Sequence, residues 1–214
     1  MTRQQGKVGQ MSKLYAGLAV VGVVALLGGT AGYVMVNQSS DVFAECRGST
    51  VGGGDIGGPF TLVDGTGATV TEKDVLTKPS LIYFGYTFCP DVCPLDNARN
   101  AEAIDILDEQ GFDVNPVFIT IDPARDTPEV VADFSANLHP KMIGLTGSEE
   151  QVKAASAAYK TYFRKQASED PEFYLMDHST FTYLVLPEVG FVDFFRRDDT
   201  AAQMAERTAC FLSQ

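Results

Sequence analysis

The sequence predicts an α/β domain on a mixed central sheet, preceded by one apolar segment long enough to cross a bilayer. Three observations carry this. Apolar runs of strand length alternate with stretches of helical period through the middle of the chain. The last two strands come as a pair around Pro187 and Gly190, followed by a helix, so the sheet mixes crossovers with a hairpin. Leu14 to Val36 contains 23 residues without a charge.

That apolar segment spans roughly 35 Å as a helix, enough for a bilayer core. A cleavable signal peptide competes with this reading. Its apolar region is usually shorter, and here the run passes the small residues Thr30-Ala31-Gly32 and continues to Val36. The expected organisation is a cytoplasmic leader over 1–13, a transmembrane anchor over 14–36, a glycine-rich linker over 37–54 and one domain over 55–214. Arg3, Lys7 and Lys13 precede the span, so the domain is expected outside the cytoplasm. The leader lacks a Ser/Arg-rich transit character, which points to a bacterial inner membrane with the domain in the periplasm.

Within the domain, Phe60–Val63 and Ala68–Val70 flank Asp64-Gly65-Thr66-Gly67 and read as a hairpin. Ser80–Tyr86 is a buried strand, Leu95–Glu109 a helix and Val114–Ile121 a second buried strand. Thr127-Pro128-Glu129 opens a helix, since proline suits its first position. Met142–Leu145 is a short strand, and Ser148 caps a helix running to Tyr162. Phe181–Leu186 and Phe191–Phe195 form the closing hairpin, and Thr200–Phe211 the last helix.

The charge narrows the function classes. Removing the three leading cations from a net charge of −12 leaves −15 on residues 41–214. Such a surface repels phosphate backbones, so nucleic acid is excluded as a partner. Solubility alone also explains the charge.

The chemistry concentrates in Phe88-Cys89-Pro90-Asp91-Val92-Cys93-Pro94, placed between a strand and a helix. A helix start offers unpaired N–H groups and the positive end of the dipole, and both favour thiolate over thiol. At i and i+4 the two sulfurs share a face if the turn is helical. Three readings follow: a disulfide bracing the helix start, a redox pair, or a soft metal site for monovalent copper or zinc. The chain has two histidines. His139, in Leu138-His139-Pro140, reads as a helix-end residue with no metal role. His178, in Met176-Asp177-His178-Ser179-Thr180, precedes a late strand. In a thioredoxin-like sheet that loop lies beside the cysteine loop, where thioredoxins carry a cis-proline that this chain lacks. A histidine there completes a Cys–Cys–His set, and three ligands suit copper better than structural zinc.

These residues resemble the Sco/SenC copper chaperones over about residues 55–212. The motifs that carry the resemblance are Tyr86–Pro94, then Ile121-Asp122-Pro123-Ala124-Arg125-Asp126-Thr127-Pro128, then Asp177–Thr180. The resemblance implies a thioredoxin-like fold, with copper, as Cu(I), Cu(II) or both, bound by Cys89, Cys93 and His178. It implies a role in assembling the binuclear copper site of cytochrome c oxidase. The subunit carrying that site is then the partner, with another copper chaperone as a further candidate. Asp91 and Asp122 would shape the site or partner docking, with turn and capping chemistry as the alternative for Asp122 and Asp126. A thiol–disulfide reductase using the Cys89–Cys93 couple on the oxidase cysteines, or a redox sensor, remains the competing function. His178 separates them, because copper binding needs it and dithiol exchange does not. A peroxidase lacks its catalytic context here. The outer cysteines, Cys46 and Cys210, are expected to form a structural disulfide in an oxidising compartment. The alternative is a pair of free thiols.

Overall fold

The computed structural model describes residues 20–30, 32–33, 42–48, 55–170 and 173–214. The chain divides into two compact units, 1–42 and 43–214. In the first, residues 20–30 are helical and exposed. Among the described residues no helix is long and apolar enough to cross a membrane. The expected leader and both ends of the expected span over 14–36 lie outside the described residues.

The second unit is a seven-stranded mixed sheet between helices, in the spatial order Thr69–Thr71, Thr61–Asp64, Ile143–Thr146, Asn115–Thr120, Ser80–Gly85, Thr182–Leu186, Gly190–Phe195. Its strands are β1 (Thr61–Asp64), β2 (Thr69–Thr71), β3 (Ser80–Gly85), β4 (Asn115–Thr120), β5 (Ile143–Thr146), β8 (Thr182–Leu186) and β9 (Gly190–Phe195). The helices are α1 (Glu72–Val75), α2 (Val92–Glu109), α3 (Pro128–Leu138), α4 (Glu149–Ala158) and α5 (Ala201–Leu212). Strands β3, β4 and β5 are parallel, while β8 and β9 join antiparallel at β3. A separate two-stranded ribbon pairs β6 (Phe163–Lys165) with β7 (Met176–His178).

Local chemistry sets these elements. Asp64 accepts the backbone N–H groups of Thr66 and Ala68, which closes the first hairpin. Thr127 caps α3 with Pro128 in its first turn, and Ser148–Gln151 and Thr200–Gln203 form capping boxes on α4 and α5. Side chains alternate across the sheet into two cores: Tyr183 and Val185 face one, Leu184 and Leu186 the other. Gly144 lets α3 approach β5, since a Cβ there would stand 2.6 Å from the Val131 carbonyl oxygen.

Three differences from the sequence reading have physical causes. Helix α2 starts at Val92, three residues early, so Cys93 lies inside its first turn. Helix α4 stops at Ala158, because Tyr159 is anchored in the core and Lys160 takes a positive φ of 54° that turns the chain. The β6–β7 ribbon is not anticipated, and it makes His178 a strand residue. Residues 43–48, inside the expected linker, pack onto the domain: the Phe43 ring lies tilted against Phe211 with centroids 5.3 Å apart, and Cys46 is disulfide-bonded to Cys210.

Candidate metal centre

The topology brings the cysteines and the histidine together. The chain leaves β3 at its carboxyl end, beside the end of parallel β4, where Ile121 N–H donates to Gly85 O at 2.8 Å. Crevices beyond the carboxyl ends of parallel strands are the usual sites in α/β sheets. Antiparallel β8 starts there too, since Thr182 pairs with Tyr83. The residues just before β8, including His178, therefore arrive beside the cysteine turn.

The two sulfurs do not converge by sharing a helix face, as their spacing suggests. Cys89 lies outside α2, in a turn closed by its own N–H on Tyr86 O at 3.3 Å. Asp91 holds the N-cap position, yet its side chain makes no cap bond. The cap comes from Cys89, whose sulfur accepts the N–H of Cys93 at 3.3 Å. Both cysteines are buried and free.

His178 completes the cluster. Its Nε2 is 3.5 Å from Cys93 Sγ, and its Nδ1 is 2.7 Å from the Ser179 carbonyl oxygen. A carbonyl only accepts, so Nδ1 carries the proton and Nε2 turns a lone pair toward the cysteines. Tyr86 and Tyr83 pack against the ring in T-shaped contacts, at centroid distances of 5.9 and 6.3 Å. The ligand atoms of Cys89, Cys93 and His178 all lie within 4.8 Å of one another.

Electrostatics divides the thiol pair. The hydrogen bond from Cys93 holds Cys89 well below the thiol range, with help from the Asp91 and Cys93 N–H groups against its burial. The same bond, then burial, pushes Cys93 up. One proton is thus shared by two sulfurs. Burial, with the neighbouring thiols, also pushes the Tyr86 phenol up to about 12. Behind Cys93, Asn97 donates to its carbonyl at 2.8 Å, and the Tyr83 hydroxyl donates to buried Asp96 at 3.0 Å. Gly85 leaves room for the sulfur: a Cβ there would stand 3.0 Å from Cys93 Sγ.

Other residues named from sequence fall elsewhere. His139 caps the end of α3, 3.3 Å from Asp105, with its Nδ1 accepting from Lys141 N–H. Asp122 and Asp126 are buried beside the site and bonded to its neighbours rather than to its ligand atoms. Sequence reasoning missed Gly85, Tyr83 and Asp96. Of these only Gly85 left a signal, as a lone glycine ending a run of large apolar residues.

Comparison with known proteins decides the family. The SCO1/SenC family model matches residues 49–213. The chain belongs to the SCO1/SenC family. Protein SenC of Rhodobacter capsulatus is 52% identical over 202 residues, covering 94% of this chain and 91% of SenC. The mitochondrial SCO1 homolog 1 of Arabidopsis thaliana is 44% identical over 164 residues, 76% of this chain but 48% of the relative. The crystal structure of Arabidopsis thaliana ScoI with copper bound aligns with a TM-score of 0.70 at 42% identity, covering 74% of this chain and 99% of that one. Cys89, Cys93 and His178 all lie within the SCO1/SenC match, whereas Cys46 precedes it.

Proposed function

We propose that this protein binds one copper ion through Cys89, Cys93 and His178, and acts in assembling the binuclear copper site of cytochrome c oxidase. The observation that carries the reading is the convergence of two thiol sulfurs and one imidazole nitrogen in a buried cluster. The donor set fits the ion. Thiolates are soft ligands that select monovalent copper, and imidazole suits either oxidation state. A separation within 4.8 Å is close to two metal–sulfur bonds of about 2.3 Å each. Copper is cargo here, and three ligands leave a side open for its transfer. The Nδ1–Ser179 bond is the kind of outer contact that fixes a ligating histidine. The copper-bound Arabidopsis structure supports the same use of the fold.

The receiving partner in this reading is the oxidase subunit with the binuclear site. The setting is the outer face of a bacterial inner membrane, with the Leu14–Val36 segment as a single-pass anchor.

A second reading has its own observation, the lowered pKa of Cys89 at a helix start. As a reductase, Cys89 thiolate would attack a partner disulfide and release one partner thiolate. Cys93 would then lose its proton, bond to Cys89 and release the second, so two electrons pass to the partner.

Copper stoichiometry of the soluble domain separates the two. One copper per reduced domain is expected, and none after oxidation of the pair. His178→Ala is expected to lose tight copper binding and keep the Cys89–Cys93 couple, while His139→Ala keeps both. Unchanged copper affinity in His178→Ala would leave the reductase as the better reading.

A further inference from the structure

The cysteine and histidine motifs are used by the metal centre, but the motif Ile121–Pro128 is not. It follows β4, alongside the cysteine turn, and reaches both halves of the site. On one side, Asp126 is fully buried and accepts from Thr87 N–H at 3.1 Å and Thr87 Oγ1 at 2.6 Å. Thr87 lies two residues before Cys89. On the other side, buried Asp122 accepts from the Tyr174 hydroxyl at 2.7 Å and from Arg125 Nε at 2.6 Å.

Arg125 joins the two sides. Its guanidinium carbon is 4.7 Å from the Phe88 ring centroid and 3.6 Å from that of Tyr174. Lys165 Nζ lies 3.5 Å from the same Tyr174 centroid. Both cations thus lie within cation–π range of the Tyr174 ring. Phe88 adjoins Cys89. Tyr174 and Lys165 belong to the β6–β7 excursion that ends on His178.

We propose that Arg125, held by Asp122 and stacked between Phe88 and Tyr174, is a positioning residue that clamps the cysteine turn to the histidine-bearing ribbon. The clamp sets the ligand atoms together before an ion arrives, so less ordering is left to the binding step. Its part in metal binding rests on the copper reading above, whereas its effect on the ribbon does not.

The test therefore has a metal-free arm. In the reduced protein, Gln166 N–H bonds to Leu175 O and Ser179 N–H to Tyr162 O, both at 2.9 Å, so they report on the ribbon and its junction. Arg125→Ala and, independently, Tyr174→Leu are expected to exchange these amides about tenfold faster, with β3 and β4 unchanged. Arg125→Lys keeps a cation on the ring without the flat face or the Nε bond to Asp122, and is expected to restore protection in part. In the second arm, Cu(I) affinity by chelator competition is expected to fall about 10- to 100-fold in Arg125→Ala. Unchanged exchange at Gln166 and Ser179 overturns the proposal. So does faster exchange throughout β3 and β4, which marks a merely structural role, or an Arg125→Lys protein that behaves like Arg125→Ala. A parent protein that binds no copper defeats the copper reading, and the exchange arm still judges the clamp.

Discussion

Adding one methyl group at Gly85 sets the packing of β3 directly against the chemistry of Cys93. The new Cβ would stand 2.8 Å from Tyr83 Cε1, 3.0 Å from Cys93 Sγ and 3.1 Å from Phe118 Cε2. Relaxed carbon contacts lie at about 3.5–4.0 Å, so each neighbour must retreat by roughly 0.5–1 Å. The two rings have little freedom. Both are fully buried, Phe118 packs on Phe134 at 4.7 Å, and the Tyr83 hydroxyl is tied to Asp96. Interiors at this density resist such insertions, which cost about 1–3 kcal/mol. For a domain of this size that lowers Tm by about 2–12 °C. The Cys93 sulfur is buried as well, and any retreat takes it from its place 3.5 Å from His178 Nε2. Calorimetry of the reduced metal-free domain and chelator competition for Cu(I) measure the two effects separately. Gly85→Ala is expected to lose both stability and copper affinity. Parental values of both would refute the packing argument.

Three other outcomes follow from the same geometry. The Cys46–Cys210 bond closes a loop with a sequence separation of 164, so Cys46→Ser with Cys210→Ser is expected to cost up to about 5 kcal/mol in urea unfolding; a loss below about 1 kcal/mol contradicts the loop-entropy account. The reduced thiol pair makes stability depend on pH in both directions. Between the lowered Cys89 pKa and the ordinary thiol range the unfolded chain holds one more proton, so stability rises with pH. Above that range Cys93 keeps a proton the unfolded chain has lost, so stability falls again. Urea midpoints against pH are expected to peak near the thiol range in the reduced domain and to lose the rising limb in Cys89→Ser. For the proposed anchor, alkaline phosphatase fused after Gln214 is expected to be active in cells, and an inactive fusion contradicts the proposed outward-facing domain.

Much of the sheet was legible because its strands are apolar on both faces and bounded by turn residues. Ser80–Gly85 and Asn115–Thr120 are the clearest examples. The β6–β7 ribbon was not, because three-residue strands such as Phe163–Lys165 carry too few alternations to show a period. The members of the candidate cluster were legible from the spacing of Cys89 and Cys93 and the scarcity of histidine. The residues that hold them were not. Asp96, Tyr83 and Arg125 act through contacts between distant segments, such as the Arg197–Asp96 pair, and a single sequence gives no sign of these. The start of α2 was legible, but the sequence reading puts it at Leu95, after Pro94. Asp91 does hold the N-cap position, and Pro94 falls in the first turn, where proline is tolerated rather than a barrier to the helix.

The Cys89 sulfur cap on α2 ties the three-residue interval between the cysteines to their chemistry. Cys93 is the second residue of α2, so its N–H is one of the first-turn donors left without a partner inside the helix. The chain before it turns at Tyr86–Cys89, and an interval of three residues lets the Cys89 sulfur meet that donor. A thiolate fills the position well, because it is an anion at the positive end of the helix dipole. A disulfide sulfur is neutral and fills it poorly. Oxidation of the pair therefore removes the charge from the cap of α2, and the helix favours the reduced state, as lowered thiol pKa values do in other dithiol proteins. The reduced state is the one that both copper ligation and disulfide reduction require. The helix start thus acts on the two functions alike. What distinguishes them lies on the other side of the cluster, in the His178 nitrogen whose lone pair faces Cys93.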